Sequence, residues 1–156
     1  MIWFLRLSGA AAIAGGVLRI ADSFTVHALP PATLAMLYFV TDVLLLAGIA
    51  SIWWQRRRSL SIAVFVIGIL MIRASAFGIG GYQLGAAVAL LGLAGYSLMT
   101  LYRRSGAPWA PVAWLIALGF GIAGTLGFEP ALMTAAAGIA FGAGFIAAGG
   151  EVLATA

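Results

Sequence analysis

The sequence predicts an all-α fold: a polytopic bundle of transmembrane helices that crosses the membrane six times as one domain over residues 1–156. Hydrophobic residues make up 64% of the chain and charged residues 8%, whereas about a quarter of a soluble domain is charged. Six apolar segments reach the roughly 20 residues that a helix needs to cross a bilayer. None alternates polar and apolar residues, so each span must satisfy its backbone internally, as a helix does.

The first three spans are bounded by charges and prolines. Trp3 and Phe4 precede Arg6, the first charge, unlike the charged start of a signal peptide, so the first segment is interpreted as a retained span rather than a cleaved leader. Span two follows a proline pair ending at Pro31, and proline is favoured at a helix start. Arginines 56–58 separate spans two and three. These predicted spans cover 2–21, 32–54 and 59–77.

The last three spans are bounded in the same way. An arginine pair, 103–104, follows span four, while Pro108 and Pro111 stand near the start of span five and Pro130 precedes span six. The predicted spans are 83–102, 110–128 and 131–153.

A weak internal repeat points to three tandem helical hairpins. LAGIASIWWQRRR (46–58) resembles LAGYSLMTLYRR (93–104), and LRIADSF (18–24) resembles IRASAFG (72–78). Some transporters are built from such parallel repeats. Gene duplication leaves the same pattern in proteins that transport nothing, so the repeat alone does not assign a function.

The arginines predict the orientation. Five of them lie in two loops on one side of a six-span layout, and such loops are typically cytoplasmic. Both termini are then cytoplasmic, in a bacterial-type inner (plasma) membrane. The arginines of these loops explain the net charge of +4. We therefore predict the lipid bilayer as a partner and no nucleic-acid partner.

Asp42 and Arg73 are the charges placed deepest in the spans. At 1.5 Å per residue, Asp42 lies roughly 15 Å and Arg73 roughly 8 Å from the outer ends of their helices. Helix side chains lean toward their own N-terminus, so the two lean toward each other. We expect an ion pair with Tyr38 one turn away. It is either a structural link between two spans or part of a ligand pocket open to the outside.

The other ionisable groups of the outer half form a predicted polar cluster of Arg19, Asp22 and Glu129. A solvated pair at a helix end is the favoured interpretation for Arg19 and Asp22. Glu129, just before Pro130, is expected at the N-terminus of span six, where the helix dipole favours an anion. His27 is expected to be a solvated loop residue.

Small residues in the third hairpin predict close helix packing. Gly121 in span five and Gly138 and Gly142 in span six suit the near approach of two helix backbones in lipid. Internal packing of spans five and six is favoured. The alternative is contact with a second copy or with another membrane protein, so a homo-oligomer or a complex is expected.

The sequence offers no recognisable catalytic set. There is no cysteine and a single histidine, no nucleophile motif, and no two carboxylates close together in one span. We therefore expect no enzyme activity, no metal and no cofactor. The predicted function is transport or capture of a small solute by the polar groups of the outer half. The alternative is an accessory subunit that packs against a larger membrane protein complex.

Overall fold

The computed structural model describes residues 1–25, 28–55, 59–75 and 77–156, and the regular structure in these ranges is entirely α-helical. The predicted all-α fold is therefore confirmed. His27 and arginines 56–58 lie outside the described residues. The helices are α1 (Ile2–Thr25), α2 (Pro31–Gln55), α3 (Leu60–Ser75), α4 (Tyr82–Tyr102), α5 (Trp109–Thr125) and α6 (Pro130–Thr155).

The helices differ in length. Four of them, α1, α2, α4 and α6, are long and apolar enough to cross a membrane, whereas α3 and α5 are apolar but have only 16 and 17 residues. After α5, Gly127 adopts a φ of 91°, and the N–H of Phe128 bonds back to the carbonyl of Ala123 at 3.1 Å. This glycine-based stop ends the helix before the predicted boundary. The prediction missed it because hydropathy does not register a signal that terminates the helix backbone.

The six helices form a ring of hairpins. Each hairpin, α1–α2, α3–α4 and α5–α6, packs together, α6 packs even more extensively along α1, and α4 packs against α5. In contrast, α2 and α3 are consecutive in the chain but contact each other sparsely. The ring thus runs α2, α1, α6, α5, α4, α3 and closes at its loosest boundary. We call the most extensively packed boundary the α1–α6 seam and the most sparsely packed one the α2–α3 seam.

The α1–α6 seam is built on glycines. A Cβ added at Gly16 would lie 2.5 Å from the carbonyl oxygen of Gly142, and one added at Gly149 would lie 2.5 Å from the carbonyl oxygen of Gly9. Such distances mean that the two backbones touch with no room for a side chain. Lipid provides no hydrophobic drive for helix association, so this close packing is what holds α1 on α6.

The seam shows where two glycines singled out in the sequence lie. Gly142 faces Gly16, and Gly138 lies against Ser23, so both glycines of α6 pack on α1. Their packing is therefore internal, and their partner is α1 because α6 presents its glycine face to that helix. Gly121 of α5 faces Leu90 of α4, whose Cδ1 lies 3.4 Å from an added Cβ.

The first two hairpins share a serine–glycine contact. The Ser8 hydroxyl of α1 donates to the carbonyl oxygens of Ala47 at 2.6 Å and Gly48 at 3.0 Å. In the second hairpin the Ser61 hydroxyl lies 3.1 Å from a Cβ added at Gly95. Gly48 and Gly95 hold the same place in the two Leu-Ala-Gly motifs. The contact therefore agrees with the predicted repeat.

Aromatic side chains fill the interior. Phe65, Trp114 and Phe145 are at most 1% exposed, and the Trp114 and Phe145 rings meet edge to face with centroids 5.3 Å apart. Many large apolar side chains are instead exposed on the outside of the bundle, including Leu7, Phe39 and Leu91. An apolar exterior around a packed interior is suited to lipid and unfavourable in water.

Candidate functional site

Asp42 and Arg73 form an ion pair across the α2–α3 seam. The Nε and Nη2 atoms of Arg73 both donate to Oδ2 of Asp42. The Asp42 side chain is 16% exposed and that of Arg73 is 30% exposed, so the pair is largely shielded by the protein. The structure thus brings together the two charges that depth and side-chain direction placed within reach.

The local structure favours the two partners unequally. Arg73 lies in the last turn of α3, where the helix dipole stabilises a cation. Asp42 lies inside α2 and gains no such stabilisation. A lone charge near the bilayer centre costs about 2.5–3.5 kcal/mol on insertion scales, so each residue lowers the cost of the other. Since α2 and α3 otherwise contact sparsely, this pair is a principal link across their seam.

Asp22 is the most deeply buried charged residue of the described chain, and the sequence analysis placed it wrongly. It is 2% exposed, so it is not part of a solvated pair at a helix end. Its Oδ2 accepts one long hydrogen bond, 3.4 Å, from the Thr41 hydroxyl of α2. Its Oδ1 is buried without a hydrogen-bond partner. Burial follows from the packing of α1 against both α2 and α6.

Arg19 lies one turn before Asp22 on α1 and is half-buried. No ion pair within 4.0 Å joins it to a carboxylate among the described residues. Its Nη2 instead lies toward α6, 3.8 Å from a Cβ added at Gly138. Its charge still acts on both Asp22 and Asp42. Arg19 is therefore a cation within electrostatic range of two carboxylates and in contact with neither.

Tyr38 completes this group on α2. It is half-buried, and its phenol lies within electrostatic range of Arg19 and Asp22. The group joins three helices and holds equal numbers of arginines and aspartates, so its formal charges cancel when all four are ionised. We call it the polar cluster and define it as Arg19, Asp22, Tyr38, Thr41, Asp42 and Arg73.

Glu129 stands apart from the polar cluster. It is the exposed N-cap residue of α6, with Pro130 at the first helical position, as expected. Its side chain makes no capping hydrogen bond, and its backbone is left-handed with a φ of 35°. His27, the other predicted outer group, lies outside the described residues.

Thr41 is the cluster member that the sequence analysis set aside. It points about 100° away from Asp42 around α2, and that same rotation aims it at α1, where it meets Asp22. Distance from the loop would not have paired them, because Asp22 lies three residues before the end of α1 and Thr41 lies ten residues after the start of α2.

A second polar site, also missed, lies at the opposite end of the bundle. A cavity of about 30 Å³ is lined by Tyr96, Thr100, Trp114 and Glu151 among apolar residues. Glu151 Oε1 accepts a 3.2 Å hydrogen bond from the N–H of Ala107, which ties α6 to the α4–α5 loop. The buried indole N–H of Trp114 has no hydrogen-bond partner. This cavity has room for about one water molecule.

The donor set limits the chemistry of both sites. Within the described ranges, no group of three or more histidine, cysteine, aspartate or glutamate residues is arranged to hold a metal ion. The polar cluster offers two cations, two carboxylates and two hydroxyls. Such groups can bind a small charged solute or exchange a proton.

No family model matches the chain, and no curated protein or solved structure is significantly similar to it.

Proposed function

We propose that this protein is a non-enzymatic membrane protein that captures or transports a small solute through the polar cluster. The observation that carries the proposal is the position of the Asp42–Arg73 pair at the seam where the ring is most weakly packed. Ionisable residues inside membrane helices are costly and typically mark ligand or ion pathways. A charge pair at a loose boundary can exchange its partner for a solute without disturbing the close-packed seams.

The chemistry of the cluster defines the solute class. Arg73 is held by a single carboxylate oxygen, and Arg19 has no carboxylate within ion-pair distance among the described residues. Two partly buried arginines match a small solute with an anionic group, since guanidinium groups bind carboxylate and phosphate oxygens in paired hydrogen bonds.

The test is a screen of small anionic solutes by thermal stabilisation of the purified protein, followed by uptake into vesicles. A solute that binds only the folded protein raises the melting temperature, and the rise grows with the solute concentration. The double variant Asp42→Leu with Arg73→Leu should fold and lose the response, while Glu129→Gln, at the exposed N-cap of α6, should keep it. Full response in the double variant would refute the proposal.

The filled interior favours a second candidate, an accessory subunit in a larger membrane complex. The cavity beside Trp114 and Glu151 is small and lies far from the polar cluster, and the aromatic core is closely packed. On this alternative the apolar exterior meets a protein partner or a second copy. Purification in mild detergent distinguishes the two, because a subunit should bring a stoichiometric partner and a transporter should not.

The proposal includes an orientation in a bacterial-type inner membrane with both termini in the cytoplasm. The arginine-bearing α4–α5 loop then faces inside, and the polar cluster opens outward. A cysteine introduced at Thr25 should react with an impermeant thiol reagent in intact cells, while one introduced at Pro108 should react only after the cells are opened. Both variants are informative because the chain has no native cysteine. The opposite labelling would reverse the orientation.

A further inference from the structure

We propose that Asp22 binds a proton in the resting protein, and that this proton makes the polar cluster a site for a small anion. The starting point is geometric. Asp22 is 2% exposed, one of its oxygens has no hydrogen-bond partner, and the other has one long contact with Thr41. A carboxylate is the form least suited to this setting, because both of its oxygens need donors.

A protonated Asp22 fits the same contacts better. With the proton on Oδ2, the carboxyl group donates to the Thr41 hydroxyl, and the 3.4 Å contact reverses direction. The hydroxyl can act as an acceptor because it has two lone pairs. Oδ1 is then the carbonyl oxygen of a neutral acid, which is much less costly to bury unpaired than an ionised oxygen.

The surrounding charges are distributed so that a proton is tolerated. On α1 the charged group within electrostatic range of Asp22 is Arg19. From α2, Thr41 contacts Asp22, and Asp42 and Tyr38 lie within electrostatic range. Arg73 of α3 is engaged by Asp42. From α6, Glu129 is exposed at the N-cap, and Glu151 lies at the other end, bonded to Ala107. No cation within ion-pair distance therefore fixes Asp22 as a carboxylate among the described residues.

Protonation changes the charge of the whole cluster. With Asp22 ionised, two arginines balance two aspartates. With Asp22 neutral, Asp42 still pairs with Arg73, and Arg19 is left as an uncompensated cation one turn away. A monoanion bound beside Arg19 restores neutrality, so in a low-dielectric site the proton and the anion favour each other's binding. This coupling rests on the proposed function, whereas the protonation of Asp22 does not.

The first experiment measures the proton directly. Infrared spectra of the purified protein in lipid nanodiscs at neutral pH should show the carbonyl stretch of a protonated carboxyl group. The band should disappear in Asp22→Asn and persist in Asp42→Asn. Absence of the band in the unaltered protein would overturn the proposal, as would its survival in Asp22→Asn or its loss only in Asp42→Asn.

Thermal stability provides a second readout that does not depend on spectroscopy. Asparagine has the shape and neutrality of a protonated aspartate, so Asp22→Asn should leave the melting temperature at neutral pH unchanged. If Asp22 is ionised, the same change removes an anion that balances Arg19, and the melting temperature should fall. A fall comparable to that of Asp42→Asn would contradict the inference.

The last experiment separates the proton site from the transport function. Vesicles containing the protein are given radiolabelled phosphate or lactate, with protein-free vesicles as the background. Raising the pH until the infrared band of Asp22 disappears should reduce uptake by the unaltered protein, whereas Asp22→Asn, which has no proton to lose there, should keep its uptake. Uptake that is insensitive to pH, with no infrared band, refutes the inference and leaves the proposed function. A band at Asp22 with no uptake of either anion supports the proton site and counts against the transport function.

Discussion

The α1–α6 and α2–α3 seams join helices by opposite means. In the first, glycine backbones touch along the helices, as at Gly16 and Gly142. In the second, the helices are sparsely packed and an ion pair reaches across them. Close packing loses contacts steeply with small displacements, whereas an ion pair acts over a longer range and can exchange partners. The comparison indicates that the first seam depends on close backbone packing and the second on a charge pair.

The largest effect is expected where the packing is closest. Replacing Gly142 by leucine forces a side chain into the Gly16 carbonyl and should lower the free energy of unfolding by about 3 kcal/mol or more, the upper range for overpacking. Gly119→Leu is the matched control, because Gly119 has nothing within 4 Å of an added Cβ. Reversible unfolding in detergent measures both. If Gly142→Leu left the monomer stable and only reduced its assembly state, the glycine would belong to an interface between copies.

The ion-pair seam should give a smaller but non-additive effect. Asp42→Leu or Arg73→Leu alone leaves its partner charged and unpaired, and should cost about 2.5 kcal/mol, the lower end of the range for a charge in a membrane helix. The double change should cost less than either single change, since no lone charge remains. A double-mutant cycle should therefore give a coupling of about 2.5 kcal/mol or more. Additive single changes would mean that the pair does not join α2 to α3.

The smallest effect tests a polar contact within a well-packed hairpin. Ser8 donates to two carbonyl oxygens of α2 and accepts the N–H of Ser51 at 3.1 Å. Ser8→Ala should therefore lower the free energy of unfolding by about 0.6–1.7 kcal/mol, the measured range for hydrogen bonds between membrane helices. Thr134→Ala is the control, because the Thr134 hydroxyl is exposed and bonds only within its own helix. Equal losses in the two variants would show that Ser8 does not help to hold α1 on α2.

The sequence predicted the parts of the molecule that follow from apolar length and depth. Six helices appear where six apolar segments were found, because lipid allows few other structures. Asp42 and Arg73 could be matched because depth and side-chain direction are fixed by position along a helix. The first argument considers each helix alone, and the second considers only two consecutive helices.

What the sequence did not predict depends on which helices become neighbours. Asp22 looked like a helix-end residue, and only the register of α1 on α2 shows it to be buried beside Thr41. Gly142 was expected to pack inside the protein, but the sequence did not show that its partner is α1, which is distant in the chain. The order of helices around the ring is set by the fit of small-residue faces. An alanine- and glycine-rich sequence offers several such faces with little to distinguish them.

The uneven helix lengths have a consequence for the surrounding lipid. α3 and α5, with 16 and 17 residues, are roughly 24 and 26 Å long at 1.5 Å per residue, and they flank α4 in the ring. A bilayer core is about 30 Å thick and must thin to meet shorter helices. α1, α2 and α6 on the other side, with 24, 25 and 26 residues, impose no such thinning. We therefore expect a thinner bilayer on this side of the protein, which would bring headgroups and water closer to Arg73, at the end of α3. Bilayers with shorter acyl chains should fit this side with less distortion and stabilise the fold.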